Sequence, residues 1–140
     1  MIQFFTENVV MPSISTDIIC RWITEVARLH GKNVGSLSYI FCDDEKILEV
    51  NRQFLQHDYY TDIITFSSGT TTTLSGDMFI SLDTVRTNAE GLSASYEEEL
   101  HRVIIHGILH LCGINDKGPG EREIMEAEEN AALSLLSTLS

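Results

Sequence analysis

Positive charge is scarce in this sequence: nine Lys and Arg stand against 21 Asp and Glu, for a formal net charge of −12. Counterion release on a polyanion needs clustered cations, so bulk electrostatic attraction to nucleic acid or to an anionic membrane is excluded. Any nucleic-acid contact must use a local patch. The cysteines, Cys20, Cys42 and Cys112, are odd in number and none is spaced as CxxC. They build neither a disulfide framework nor a cysteine-rich zinc site. No apolar run approaches the ~20 residues that span a bilayer. The opening "MIQFFTENVV" has no basic segment followed by an apolar one, as a secretory signal would need. A cytoplasmic protein is expected. There are only two prolines in 140 residues, with no repeat, linker or low-complexity tract. Because domains typically take ~100 to 150 residues, one domain over residues 1–140 is expected.

What is present is ordinary globular patterning. "IQFF" is a short strand. Thr16 can cap a helix through "DIICRWITEVARLH", with Ile18, Trp22, Val26 and Leu29 at helical spacing and "GK" as its stop. "GSLSYIFC" alternates toward Leu37, Tyr39 and Phe41 as a strand. "DDEKILEVNRQFL" opens with acids, which favour a helix N-terminus, and stripes Ile47, Val50 and Phe54. "DIITFSS" and "GDMFIS" are two further strands, separated by a tract, "SGTTTTLS", too polar for a core. "LDTVRTNAEG" is a short helix closed by Gly91. Ser95 with Glu98 forms a capping box ahead of a helix that ends at Gly113. A last helix begins near Glu121, with Ile124, Ala127, Ala131 and Leu135 on one face. The acidic runs, "EREIMEAEE" among them, read as solvated helix faces. The fold class is mixed α/β (α+β), a small sheet of about four strands packed with about five helices.

The informative stretch is "HGILHLCGIND", His106 to Asp116. From Val103 to Cys112 only two imidazoles interrupt an apolar run, so this helix should be central, with both rings on one face. An unsatisfied buried polar group costs a few kcal/mol, and a divalent metal would satisfy both rings. Gly113 lets the chain leave the helix abruptly, so Asp116 can fold back as a third ligand. Three ligands leave a coordination position open, as catalytic zinc sites do, and a metal there can lower the pKa of its bound water. The spacing matches the metzincin pattern, but Gly107 stands where a zincin protease has its general-base Glu, which argues against a peptidase. A helical Gly costs ~1 kcal/mol against Ala, so Gly107 suggests a close approach by a substrate or a neighbouring strand. The competing reading is a pair of core histidines satisfied by carbonyls or carboxylates.

These residues resemble the H-G-x-L-H-L-x-G-x-D-H signature of the YbeY proteins, metal-dependent endoribonucleases linked to small-subunit ribosomal RNA maturation and ribosome quality control. "VNRQFLQHDYYTDIITFS" resembles the family segment N-x-x-[FWY]-R-x-K-D-x-P-T-D-V-L-S-F, and "GDMFIS" its G-D-I-F-I-S strand. The resemblance implies a zinc-dependent hydrolase of single-stranded RNA phosphodiesters, with one Zn²⁺ or another divalent ion per chain. Its partners would be ribosomal RNA and ribosome-associated proteins. The implied ligands are His106, His110 and Asp116, with Asp116 in place of the family's third histidine and Asn115 in place of its aspartate. The family's arginine falls on Leu55 and its lysine on His57, so Arg52 and His57 are the candidates for phosphate contact. Asp62 would orient a ligand or cap a strand. Two alternatives remain: a ribosome-associated binding protein with a structural or absent metal, and a metallohydrolase of another substrate.

Overall fold

The computed structural model describes residues 1–55 and 61–139. In chain order the elements are β1 (Ile2–Thr6), α1 (Thr16–Leu29), β2 (Asn33–Cys42), α2 (Asp44–Val50), β3 (Ile63–Ser67), β4 (Thr73–Ser81), α3 (Leu82–Gly91), α4 (Tyr96–Leu111) and α5 (Glu121–Leu139). A single π turn, Asn51–Leu55, continues α2. The strands form one sheet ordered β1-β2-β4-β3, in which β1, β2 and β4 are parallel and β3 runs antiparallel to β4. This is the mixed α+β class the sequence predicts.

Alternation along the strands decides which helices go where. Leu37, Tyr39 and Phe41 of β2 and Met78 and Ile80 of β4 point to one face, where α1 and α4 bury them. Their neighbours Cys42, Ile64 and Phe79 point the other way, into a smaller cluster under Ile47 and Val50 of α2. Tyr39 is fully buried, and its hydroxyl donates to the Ile104 carbonyl at 2.9 Å, which locks α4 to the sheet. Trp22 of α1 likewise donates to the Ala132 carbonyl of α5 at 2.7 Å. Among the described residues no helix is long and apolar enough to cross a membrane.

Several local expectations shift. Thr16 is already helical, and Ser15 takes the N-cap position without a side-chain cap bond. The buried stripe of α1 runs through Ile19, Trp22, Ile23 and Val26, leaving Leu29 62% exposed. Phe54 is also exposed, its ring edge-on to Phe66. The polar tract is half strand: β4 begins at Thr73 because Leu74 pairs with Val34 and is buried, and threonine suits a pleated backbone. Gly91 does not close α3. Ser93 does, at φ 55°, with Ala94 N–H donating to the Ala89 carbonyl and Ser93 N–H to Glu90. In α5 the buried face is Met125, Glu129, Ala132 and Leu136, while Ile124 is 57% exposed.

Candidate functional site

Helix α4 carries the site because it is anchored at both ends. Ser95 caps its start by accepting from Glu98 N–H at 3.0 Å, and Glu97, Glu98 and Glu99 fill the first turn, where the helix dipole favours acids. Its far end closes in a Schellman turn: Gly113, at φ 101°, donates to the His110 carbonyl, and Ile114 donates to Leu109. One face, with Ile104, Ile105, Ile108 and Leu109, is fully buried. Gly107 lies on that side. A Cβ there would meet Met78 Sδ at 2.8 Å and Ile63 Cδ1 at 2.9 Å, so the close approach inferred from the sequence is made by side chains of the neighbouring strands.

The opposite face presents Arg102, His106 and His110, one turn apart. The Schellman turn sends the chain back along this face, so that Asp116 Oδ2 stands 3.3 Å from His106 Nε2. On the other side of the ring, His106 Nδ1 is 2.7 Å from Glu129 Oε2 of α5. Arg102 donates to Glu129 Oε1 at 2.8 Å and to Asn130 Oδ1 at 2.7 Å. Burial alone would lower the pKa of His106, but the Glu129 hydrogen bond and the charges of Glu129 and Asp116 outweigh it and raise it. Glu129 shows the converse: burial opposes its charge, yet His106 and Arg102 hold its pKa below the ordinary carboxylate range.

His106, His110 and Asp116 all line one cavity of about 280 Å³, whose walls also include Asn51, Leu55 and Lys117. Asp62 faces this cavity and a second one of about 580 Å³ reaching toward Arg122. Burial raises the Asp62 pKa, and the Asp62 carbonyl accepts from Ser81 N–H at 2.9 Å, so the residue both faces the cavity and ties off the strand.

Two imidazoles and a carboxylate are a donor set that Zn²⁺ takes. Ligand atoms at about 2.0–2.1 Å from a tetrahedral metal lie roughly 3.3 Å apart, which is the observed His106–Asp116 separation. His110 is exposed at the same cavity. Among the described residues no three His, Cys, Asp or Glu side chains converge into a finished metal cage. The fit is therefore one of donor chemistry and of a single spaced pair.

The structure thus brings His106, His110 and Asp116 to one cavity. It does not bring Arg52 there. Arg52 is exposed and borders a separate depression with Glu45, Leu48, Glu49 and Gln53. The reason is the π turn, which directs Asn51 and Leu55 to the cavity and Arg52 to the outer side. His57 lies outside the described residues. Lys117 is the Lys or Arg side chain that lines the cavity among the described residues. The sequence reading missed Glu129 and Arg102. A glutamate on the buried stripe of α5, in step with Met125 and Leu136, was the available signal.

A central helix that presents histidines to a cavity, with a carboxylate returned to it by a glycine turn, defines an α+β protein with a histidine- and carboxylate-lined cleft. Comparison with known proteins narrows the class. The model of the family described as Endoribonuclease YbeY matches residues 5–137. The protein named Endoribonuclease YbeY in Phocaeicola vulgatus is 67% identical over 137 residues, covering 98% of this chain and 99% of that one. Its namesake in Bacteroides thetaiotaomicron is 66% identical over 134 residues, covering 96% and 98%. The solution structure of a Thermotoga maritima protein shares the fold with a TM-score of 0.67 at 24% identity, covering 99% of this chain and 93% of that one. The chain belongs to the YbeY endoribonuclease family.

Proposed function

We propose that this chain cleaves phosphodiester bonds in single-stranded RNA with a divalent metal, Zn²⁺ by donor preference, held by His106, His110 and Asp116. The substrate would be small-subunit ribosomal RNA in the course of its maturation and ribosome quality control, which places the protein in the cytoplasm with ribosome-associated partners. The observation that supports the reading is that these three side chains line one cavity, with His106 Nε2 and Asp116 Oδ2 at the separation of two ligands of one ion.

Bound there, the ion would supply an activated water and positive charge against the phosphate. The chain's own residues supply the rest. Lys117 at the cavity wall offers the cation that Leu55 no longer provides, and Lys acts on phosphate as a point charge. The carboxylate of Asp62 faces the same space and can hold the attacking or departing hydroxyl by a hydrogen bond. Scattered basic residues and a net charge of −12 imply that the ribosome or a protein partner delivers the RNA.

The test is cleavage of a labelled single-stranded RNA and its duplex, with and without chelator and with zinc restored. The proposal predicts single-strand cleavage that chelation abolishes and zinc rescues. Cleavage indifferent to chelator contradicts it. Leu55 at the place of the family's arginine favours the second reading, a ribosome-associated binding protein, which predicts RNA retention without cleavage.

A further inference from the structure

We infer that Glu129 is the positioning residue of the site: it sets the tautomer of His106 so that the bare Nε2 nitrogen faces the cavity. The inference rests on the metal reading above for its effect on zinc affinity, whereas its tautomer readout is independent of that reading.

The His106 ring has two carboxylate neighbours at unequal distances. Glu129 Oε2 is 2.7 Å from Nδ1, whereas Asp116 Oδ2 is 3.3 Å from Nε2. A neutral imidazole has one proton, and the hydrogen bond made by one nitrogen decides the state of the other. The shorter contact claims the proton for Nδ1. Nε2 is left with its lone pair directed at the side where Asp116 and the cavity lie. A histidine that ligates a metal through one nitrogen commonly gives its other N–H to a carboxylate, which orients the ring and raises its basicity.

Glu129 can do this because it is itself fixed. Only 8% exposed, it sits on the buried stripe of α5 among Met125, Ala132 and Leu136. Its second oxygen accepts from Arg102, and the same guanidinium grips Asn130 on the next position of α5. A buried carboxylate is costly unless paired on its available oxygens, and here each oxygen has a partner. Arg102 and His106 are one turn apart on α4, so a single side chain of α5 reads two successive positions of the histidine face.

The substitution Glu129→Gln inverts this arrangement. Arginine has donors and no acceptor, so the glutamine carbonyl must turn to Arg102 and its NH₂ to His106 Nδ1. Nδ1 then has to accept, and the proton moves to Nε2. That proton donates to Asp116 and blocks the nitrogen that would bind an ion. Shape and volume hardly change.

The experiment records imidazole ¹H–¹⁵N correlation spectra of the full-length, metal-free protein under conditions where His106 is neutral. It then measures zinc affinity by competition with a chromophoric chelator. Wild type should show the proton on Nδ1, Glu129→Gln the proton on Nε2, and zinc binding should weaken by roughly ten- to a hundredfold with the Tm little changed. Arg102→Ala, which frees one oxygen of Glu129 but keeps the His106 contact, should retain the wild-type tautomer. The same tautomer in wild type and Glu129→Gln overturns the inference, and so does an inverted tautomer with unaltered zinc affinity. A wild type that binds no zinc while its tautomer still inverts sinks the metal reading and leaves the assignment of Glu129 standing.

Discussion

The two faces of α4 are built by opposite rules. Toward the sheet, Ile104, Ile105, Ile108 and Leu109 are fully buried, and Gly107 is the gap that lets Met78 and Ile63 come close. Toward the cavity, Arg102, His106 and His110 are each at least partly exposed, and two of the three are held by Glu129, Arg102 through an ion pair and His106 through a hydrogen bond. The apolar face fixes where the helix lies. The polar face fixes what it can do, and its order comes from a neighbouring helix and a returning loop. Stability and activity should therefore be separable on one helix.

The largest effect should come from the polar face. His110→Ala and Asp116→Ala are expected to reduce RNA cleavage by more than the roughly hundredfold loss typical of outer-shell changes, with the Tm unmoved. A matching fall in Tm would make these residues structural and erase the distinction between the two faces. On the apolar face, Ile108→Ala should cost about 2–5 kcal/mol by chemical denaturation while activity per folded molecule persists. Gly107→Val should cost about 1–3 kcal/mol by overpacking against Met78 and Ile63. Gly107→Ala should be far milder, since both neighbours present the ends of flexible side chains and alanine gains up to ~1 kcal/mol of helix propensity. A modest effect, about 1 kcal/mol, is expected from Ser95→Ala, which removes the cap on Glu98 N–H and touches neither face.

Period and spacing carried the large features. The alternation of Leu37, Tyr39 and Phe41 and the apolar run around His106 set the strand and the central helix, because burial on a pleat or a helix writes itself as a period. Gly113 and Asp116 were legible for a related reason: the left-handed turn has one favoured residue, and the chain beyond that residue must fold back. Glu129 was not legible. With Ile124 counted as buried, the α5 stripe is displaced by one residue and the glutamate falls among solvated acids. Arg52 lies off the cavity because α-helical spacing does not carry into a π turn, where the rows of side chains no longer align. The strand inside the threonine tract depends on Leu74 finding Val34 across the sheet, a tertiary partner that no local window contains.

The metal site proposed for this chain is the polar face of α4. Its most direct test is metal content by elemental mass spectrometry on the purified wild type alongside His110→Ala and Asp116→Ala. About one zinc per chain is expected in wild type and clearly less in both variants, as a three-ligand site requires. A folded wild type that carries no divalent metal, and acquires none from added zinc, would contradict it.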